Sequence, residues 1–549
     1  MSEHRSKRLR YSPARLEDEQ ATIHFHQQDE RELQRAVQAS LEYDIDDSSD
    51  EDTSIVEEEI EAEEEEKHES VVDVETTWTS EATTIVPPPF TSRSGPQTAV
   101  SSPLDLFQLF LPIRLLRLIA SNTNAYAHSR GAVSIWQTTA EELYRFIAIH
   151  IAMGINQLPS VHMYWYQPWR CEMITSIFTR DRYMELLRYF HISSPSASSS
   201  SSSPLSKVEP LLSELSSSFP ACYHPGQTLV VDEAIVGFKG RSAMKQYIKN
   251  KPTKWGYKVW CLASCNYLLS FHVYQGRRSR SGISNAHDAV LSLTHSYQHR
   301  NHILYLDRGF TSPVLLDELL RRGIRCCGTV STNRKELPKD LLSTEDQLED
   351  NEFAYRQRGE LGMIVWKDRR LVYLLTTHTS PAETTLIERD SRKGGTVQRS
   401  VPKAVADYNQ HKSGVDTIDQ LHSYYSIGRR SKKWWPRLVW WLIDMCIINA
   451  YSLHQQKQQV EITQLEFRQQ LMQQLVEQYG LQHSRRSRHL SSTPINRNVH
   501  HYPGLSDVER DCVYCSHRPE NRKQTQFRCE VCDVYVCAFP CFELFHTRH

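Results

Sequence analysis

The pattern of apolar and polar positions divides the chain into a polar arm, a helical stretch and a region of mixed strands and helices. Residues 1–100 are mostly polar and charged, and we expect them to form a disordered arm. Residues 105–220 carry apolar side chains at helical spacing, interrupted by a Ser-rich run at 193–206. The pattern therefore predicts an arm without fixed structure, followed by a helical domain.

Strand patterns begin at Leu229–Phe238, where β-branched and apolar residues flank an acidic pair. Within residues 225–340 the predicted order is three strands, a helix, a strand, a helix and a strand, and helices return at 401–455. This is the order of an RNase H-like α/β layer. Residues 341–400 are charged and contain a hairpin pattern, so we expect them to form an insertion domain.

Charge separates the arm from the rest of the chain. The formal net charge is −2, but residues 1–75 hold 25 of the 66 acidic residues and only 8 of the 64 Lys and Arg residues. Residues 76–549 are left with 41 acidic and 56 basic residues, a net charge of about +15. A charge of this size favours a polyanionic partner such as DNA, and a merely soluble basic domain is the alternative.

One segment of the arm has a different pattern. In residues 29–42 (DERELQRAVQASLE) the apolar residues fall on one face of a helix, with acidic residues before and after them. The segment resembles a ubiquitin-interacting motif, with Ala36 as the central contact and Ser40 after it. Ubiquitin is therefore a candidate partner, and an ordinary amphipathic helix is the alternative.

Carboxylates occupy three elements of the predicted α/β layer. Asp232 lies in the first strand and Asp307 ends the fourth, whereas Asp416 and Asp419 lie three residues apart on the later helix. In an RNase H-like fold the first strand lies beside the fourth, and a helix packed across them supplies a third acid. Convergent carboxylates bind Mg²⁺, and two such ions about 3.5–4 Å apart catalyse phosphodiester chemistry. The pattern predicts a two-magnesium site, with unrelated cap or salt-bridge roles as the alternative.

The chain resembles the piggyBac transposase family over residues 105–455 and again in its Cys/His tail. The stretches that carry the resemblance are MGINQLPSVHMYW, VVDEAIVGFKGR, YIKNKPTKWGYKVW, YLDRGFTSPVLL, YNQHKSGVDTIDQ and KWWPR. By motif, the family's catalytic triad falls on Asp232, Asp307 and Asp416, with Asp419 as an additional acid. The resemblance implies cut-and-paste transposition at TTAA sites through hairpin ends. It also implies a nuclear protein whose helical domain binds DNA and forms a homodimer.

Two basic segments accompany the predicted catalytic elements. The residues expected to bind DNA are Lys239, Arg241 and Lys254 after the first strand, and Arg429, Arg430, Lys432, Lys433 and Trp435 near the last long helix. Lysine and arginine neutralise phosphates, and an exposed aromatic ring stacks on unpaired bases. Trp435 follows basic residues and precedes Pro436, so we expect it at the surface. Trp440 and Trp441 lie in an apolar run and are expected in the core.

Residues 505–549 are expected to bind two zinc ions, after a helix and basic linker at 456–504. Eight potential ligands form four pairs: Cys512 and Cys515, Cys529 and Cys532, Cys537 and Cys541, and His546 and His549. Pairs one and three on one Zn²⁺ and pairs two and four on another would form a cross-brace, and the metal would supply folding energy to a small core. The resemblance assigns this module to transposon-end DNA. A RING-type ubiquitin ligase and a histone-tail reader are the alternatives.

No secretory signal and no membrane-spanning run is visible, and the scattered cysteines outside the tail suit a reducing compartment. Two functions remain to be compared. The first is an active transposase, a Mg²⁺-dependent nuclease and strand transferase. The second is a host-adopted DNA-binding or chromatin protein, to which the arm with its ubiquitin-like motif would belong. The intact acidic triad favours the first.

Overall fold

The structure is a computed structural model that describes residues 77–132, 135–194, 203–249, 251, 253–276, 285–343, 348–390, 396–457, 462–480, 500–515 and 523–548. These residues form a body that ends at Gly480 and a separate C-terminal module. The helix predicted at 29–42 lies outside the described residues. Within the described ranges, no helix is both long enough and apolar enough to cross a membrane.

Helices of the body begin at caps that the sequence provides. Ser312 accepts the Leu315 amide while Pro313 occupies the first helical turn, and Thr463 forms a capping box with Glu466. In chain order the α-helices are α1 Pro103–Gln108, α2 Ile113–Ser129, α3 Ala140–Ile155, α4 Glu172–Thr175, α5 Arg180–Tyr189, α6 Glu209–Cys222, α7 Ala286–Thr294, α8 Pro313–Arg321, α9 Lys339–Leu342, α10 Lys403–His411, α11 Gly414–Tyr424, α12 Trp434–Lys457, α13 Gln464–Tyr479 and α14 Cys541–Arg548. Two 3₁₀ helices cover Val161–Trp165 and His295–Tyr297.

Strands make up a central sheet and three small sheets. In chain order they are β1 Gly95–Pro96, β2 Tyr223–His224, β3 Thr228–Gly237, β4 Gln246–Tyr247, β5 Trp255–Ser264, β6 Tyr267–Val273, β7 Ile303–Leu306, β8 Arg325–Thr329, β9 Phe353–Arg358, β10 Leu361–Lys367, β11 Leu371–Thr376, β12 Thr384–Asp390, β13 Thr396–Pro402, β14 Pro503–Asp511, β15 Gln524–Cys529 and β16 Val534–Tyr535. The small sheets are β1 with β2, β12 with β13, and β14 with β15 and β16.

The central sheet has nine strands and places β3 in its interior. The order is β4-β5-β3-β7-β8-β11-β10-β9, and β6 pairs with β5. β3 runs antiparallel to β5 and parallel to β7, which in turn runs parallel to β8. Val230 and Val231 point to opposite faces of the sheet and are both buried, which explains the nearly continuous apolar sequence of β3.

Helices from both ends of the body share one hydrophobic core with the sheet. Tyr144 of α3 stacks on Tyr479 of α13, with 4.4 Å between the ring centroids. The Tyr144 hydroxyl also donates to the Leu111 carbonyl at 2.7 Å. Helix α13 is the helix expected within residues 456–504, and it packs into the core of the body.

Residues 77–100 pack on the body, so the prediction of an unstructured arm extending to residue 100 is wrong for this part. We call residues 77–97 the N-terminal strap. Thr79 exchanges two backbone hydrogen bonds of 2.9 Å with Gln357, on the outer edge of β9. The Trp78 indole lies under the Arg358 guanidinium, 5.3 Å from it. The strap thus covers a strand edge that would otherwise expose unpaired backbone groups.

Residues 341–400 do not form a separate insertion domain throughout. β11 pairs with β8, and β10 pairs with both β11 and β9, so three strands of this segment extend the central sheet. Their middle residues, such as Ile364, Val365 and Leu374, are fully buried and require cover on both faces. Only β12 and β13 form a sheet of their own.

The C-terminal module contains a three-stranded antiparallel sheet, β14 to β16, followed by α14. Its core is small, and among the described residues four of the seven buried hydrophobic side chains are cysteines. Val536 and Phe545 are among the few apolar side chains buried there. A core of this size supplies little hydrophobic stabilisation.

Candidate active site and metal centres

Three carboxylates line one pocket of about 200 Å³ in the body. They are Asp232 of β3, Asp307 just after β7, and Asp416 in the first turn of α11. Lys251 and Lys412 line the same pocket, together with apolar side chains and the Tyr408 ring. The structure therefore brings together the three acids that the sequence pattern predicts to act together.

Strand register places the first two acids side by side. β3 and β7 pair in parallel so that Val231 lies opposite Leu306. The next residue on each chain is an aspartate, Asp232 on β3 and Asp307 at the end of β7. Because Asp307 ends its strand, its carbonyl is free to accept the amides of the following turn, at 3.0 Å from Phe310. The turn that follows β7 is thus anchored to Asp307, which lines the pocket.

Close packing of α11 on β3 supplies the third acid. Gly414 opens α11 and lies against Val230, and a Cβ atom at this glycine would approach Val230 Cγ2 to 3.2 Å and the Cys265 carbonyl oxygen to 3.3 Å. A larger residue would be crowded against both groups, so glycine favours this close packing of the helix on the sheet. The glycine of the GVDTID stretch therefore allows Asp416, two residues later, to reach the pocket.

Asp232 is buried, whereas Asp307 and Asp416 are exposed. Asp232 is only 8% exposed, and its Oδ1 atom accepts the Glu233 amide at 2.7 Å. Burial raises the pKa of Asp232 to about 7, and the nearby Asp307 and Asp416 add to the rise, whereas Lys251 opposes it. The pocket is lined by three carboxylates and two lysines, so its acids outnumber its bases by one.

Asp419 lies next to this group but is not among the residues that line the pocket. Burial raises its pKa to about 6, with a further contribution from Asp416, while His422 and Lys251 act in the opposite direction. Its position one turn after Asp416 fits an auxiliary acid more than a third ligand. The sequence pattern alone does not separate Asp416 from Asp419, because both face the sheet.

The donor set of the pocket fits a hard divalent cation. Three carboxylates supply only oxygen donors, and a pocket of this size leaves room for the water ligands that Mg²⁺ retains. Burial deprives the Asp232 carboxylate of hydration, and a cation in the pocket would stabilise its ionised form. On these grounds Asp232, Asp307 and Asp416 are the residues that would hold Mg²⁺.

The predicted DNA-binding lysines and arginines come together near the end of β3. Arg437 joins the two segments, because its guanidinium donates to the Gly237 carbonyl at 2.9 Å and to the Arg429 carbonyl at 3.0 Å. Gly240 lies so close to the Lys432 carbonyl that a Cβ atom would approach it to 2.9 Å. The exposed members are Lys239, Arg241, Lys254, Arg430, Lys432 and Lys433, which we call the basic surface.

Two members of the predicted set differ from the rest. Arg429 is half-buried and donates to the Tyr164 hydroxyl at 2.8 Å. Trp435 is only 6% exposed and packs against Phe190 and His191, with ring centroids 6.3 and 5.1 Å away. The prediction of an exposed Trp435 is therefore wrong: like Trp440 and Trp441 further along α12 it is buried, and its ring is not available for base stacking.

The C-terminal module contains two groups of metal-ligating side chains. One group is Cys512, Cys515, Cys537 and Cys541, and the other is His501, Cys529, Cys532 and His546. In each group the ligand atoms lie within 4.8 Å of one another. The Cys515 and Cys537 sulfurs are 3.8 Å apart, which is about the separation that two thiolates have on a tetrahedral Zn²⁺ with Zn–S bonds of 2.3 Å. Pairs one and three thus meet, as predicted.

His501 occupies the position that the sequence analysis assigned to His549. Its Nδ1 atom lies 3.2 Å from Cys532 Sγ and 3.5 Å from Cys529 Sγ, while His546 Nε2 lies 3.6 Å from Cys532 Sγ. His549 lies outside the described residues. The other ligands come in pairs spaced three or four residues apart. A search for such pairs misses His501, because no Cys or His lies at that spacing from it. It reaches the group because β14, which follows it, pairs with β15, which ends at Cys529.

Comparison with known proteins agrees with this architecture. A family model described as Transposase IS4 matches residues 102–451, which include all three pocket acids, and the chain belongs to this family of transposases. Its relatives are of the piggyBac type. Human PiggyBac transposable element-derived protein 3 is 27% identical over 474 residues, covering 82% of this chain and 77% of the relative. Human PiggyBac transposable element-derived protein 5 is 26% identical over 402 residues, covering 69% and 76%.

A solved structure shares the fold. The piggyBac transposase in a cryo-EM structure of a synaptic complex with hairpin DNA superposes with a TM-score of 0.67. The alignment covers 81% of this chain and 98% of that chain, at 23% sequence identity. The similarity to piggyBac transposases that the sequence motifs indicate is therefore confirmed, for the family and for the mixed α/β architecture.

Proposed function

We propose that this protein is a piggyBac-type DNA transposase that cuts and rejoins DNA at a divalent-metal centre held by Asp232, Asp307 and Asp416. The observation that carries the proposal is the convergence of these acids, from two parallel strands and one helix, on a single pocket. The catalytic core would be RNase H-like. Its five strands β6-β5-β3-β7-β8 support this: β6, β5 and β3 alternate in direction, and β7 and β8 run parallel to β3.

Each part of the pocket has a defined role in this mechanism. Mg²⁺, when bound, supplies Lewis-acid activation of the attacking oxygen and stabilises the leaving oxygen of a phosphodiester. The three acids would hold the ions, and Asp419, three residues after Asp416 on α11, would act as an auxiliary acid. The buried apolar residues around Asp232 exclude bulk water from that side of the site. The basic surface near the end of β3 would hold the phosphate backbone beside the pocket.

The solved piggyBac transposase was captured with hairpin DNA, and we extend this kind of substrate to the present chain. Double-stranded transposon ends and target DNA would be its partners, with TTAA as the target sequence, a homodimer as the working unit and the nucleus as the location. The C-terminal module would bind two Zn²⁺ ions in a cross-brace and read the end sequence. Its donor set of six sulfurs and two imidazoles is the set that Zn²⁺ prefers.

The test is DNA nicking by single aspartate variants. Asp232→Asn, Asp307→Asn and Asp416→Asn should each abolish Mg²⁺-dependent nicking of a duplex bearing the transposon end, while end binding in a gel-shift assay persists. Asp419→Asn should retain part of the activity. Asp350→Asn, an exposed carboxylate outside the pocket, serves as the matched control. Wild-type nicking by any of the three pocket variants would remove that residue from the metal centre.

A second candidate function has one observation in its favour. The human relatives are named as transposable element-derived proteins. A protein that retained the fold and DNA binding but lost mobility would show end binding without nicking in the same assay. The ubiquitin-motif-like segment at 29–42 would then contribute a host function, testable by adding a peptide of residues 27–44 to labelled ubiquitin and following chemical shifts. Wild-type nicking would exclude this second candidate.

A further inference from the structure

Lys251 places a positive charge within the carboxylate pocket. It lines the pocket together with Asp232, Asp307 and Asp416, and its side chain is about one-third exposed. Lys412 also lines the pocket, but it is exposed and lies over the Tyr408 ring, with its Nζ atom 5.4 Å from the ring centroid. Lys251 is therefore the less solvent-screened of the two lysines at this pocket.

The ion pair with Glu233 does not by itself explain why Lys251 lines the carboxylate pocket. Its Nζ atom lies 3.9 Å from the Glu233 carboxylate, at the limit of an ion pair. Lys258 lies 2.9 Å from the same carboxylate and is its closer partner. Glu233 thus has a nearer lysine partner, and several acids together attract Lys251. Burial lowers the pKa of Lys251, but Asp232, Glu233 and the two acids of α11 outweigh it.

We propose that Lys251 is the resident counter-cation of the carboxylate pocket, which holds the acids together in the metal-free protein and is displaced when a divalent cation enters. This inference rests on the proposed function, since it takes the three acids as the metal ligands. It assigns to a lysine of the KNKPTKWGYK stretch a role in metal loading rather than in DNA contact. Lys251 would be a positioning residue for the acids, and a competitor of the metal.

The expected size of the effect follows from Coulomb's law. Even with the dielectric constant of water, a unit charge about 6 Å from a divalent ion changes the affinity of that ion about tenfold. Removing the lysine charge should therefore tighten metal binding at least by this factor. The same change should destabilise the metal-free fold, because the acids then repel one another without compensation.

The first experiment uses electron paramagnetic resonance to measure how tightly Lys251→Met binds Mn²⁺, which serves as a spectroscopic substitute for Mg²⁺. The signal is restricted to the carboxylate site by subtracting that of Asp232→Asn. The Kd for Mn²⁺ should fall about tenfold, and the increase in melting temperature between EDTA and Mn²⁺ should grow. Lys258→Met is the matched control, because Lys258 pairs with Glu233 but does not line the pocket. Its Mn²⁺ affinity should change less than twofold.

A second measurement uses the wild-type chain and does not depend on the folding of a variant. Displaced Lys251 should become more accessible, so its acetylation by an amine-reactive ester, read by mass spectrometry, should rise at least threefold when Mn²⁺ is added. Acetylation of Lys258 should not change. The control Asp232→Asn should show no response to Mn²⁺.

The outcomes separate this inference from the proposed function. Mn²⁺ binding to the wild type that is unchanged or weakened in Lys251→Met, or acetylation of Lys251 that does not respond to Mn²⁺, would overturn the inference and leave the metal site intact. A wild-type chain that does not bind Mn²⁺ through Asp232 at all would overturn the proposed function, and this inference with it. If Lys251→Met does not fold, the acetylation measurement decides alone.

Discussion

Replacing Asp232 by Asn should stabilise the metal-free protein while it removes metal binding. Burial and the neighbouring acids raise the pKa of Asp232 from 3.8 to about 7. The folded state thus binds more protons than the unfolded state between these pH values, and stability falls as pH rises through that window. At pH 8 the full cost applies, about 4 kcal/mol for a rise of about three pKa units.

An asparagine at this position avoids the cost of ionisation but introduces an amide group into a buried site. Leaving that amide without partners costs about 1–3 kcal/mol. The net gain at pH 8 in the presence of EDTA is therefore about 1–3 kcal/mol, and it should shrink toward pH 5, where the wild-type carboxyl is largely protonated in the folded state.

Asp444 provides a matched comparison, because its replacement by Asn should change the stability in the opposite direction. It is fully buried in α12, and although burial raises its pKa, the Arg468 guanidinium at 2.9 Å and His422 lower it more. Asp444 also accepts the Ile427 amide at 3.0 Å. Asp444→Asn leaves the buried Arg468 without its counter-charge and should cost about 3–5 kcal/mol. Two buried Asp→Asn changes in one protein should therefore shift stability in opposite directions.

The assay is urea unfolding followed by tryptophan fluorescence, at pH 8 and pH 5, in EDTA and again in Mn²⁺. Wild type should gain stability from Mn²⁺ and Asp232→Asn should not. The reasoning would be refuted by an Asp232→Asn protein that is less stable than wild type at pH 8 in EDTA. It would also be refuted by a stability difference that is independent of pH.

Three other predictions concern acid stability, the C-terminal module and α12. His150 is buried with its Nδ1 atom 3.1 Å from the Ile427 carbonyl, and burial lowers its pKa from 6.5 to about 3, so stability should fall below pH 6.5 by about 1.4 kcal/mol per pH unit from this group. In a His150→Asn protein the free energy of unfolding should fall less steeply with decreasing pH than in the wild type. An equal slope would exclude this contribution of His150 to acid unfolding. His501→Ala should lower the zinc count per chain from two to one in native mass spectrometry, whereas deleting His549 should leave it at two, and the reverse pattern would contradict the assignment. Trp435→Phe should leave the affinity for duplex DNA in a fluorescence anisotropy titration within twofold of wild type, whereas Lys432→Ala should weaken it, most strongly at low salt.

The features predicted correctly from the sequence are those that short stretches of neighbouring residues determine. The strand predicted at Leu229–Phe238 is observed at Thr228–Gly237, because a β-branched apolar run of this length forms an interior strand. The order of strands and helices then implied the parallel pairing that brings Asp232 and Asp307 to one pocket. Their catalytic role remains a prediction. The cysteine pairs of the first C-terminal group were predictable because each pair lies on one short turn.

Other features depend on contacts that no local pattern reveals. Trp435 lies beside exposed basic residues in sequence, yet the rotation of α12 buries its ring against Phe190 and His191. His501 lies far from Cys529 along the chain and joins its group only through strand pairing. The sequence predicts that the hairpin at 361–376 belongs to an insertion domain, but its strand β11 pairs with β8 of the central sheet.

The N-terminal strap determines where this protein can be shortened. Thr79 closes the outer edge of β9, and further along the strap β1 pairs with β2 while Pro89 accepts a hydrogen bond from Asn301 at 3.0 Å. Removing residues 1–76 leaves all of these contacts in place. Removing residues 1–100 opens a strand edge of the central sheet to other copies of the chain, and open edges pair with one another. A truncation at residue 100, where the polar N-terminal segment ends, would thus produce a protein prone to self-association. A loss of activity in that protein would say nothing about the acidic arm.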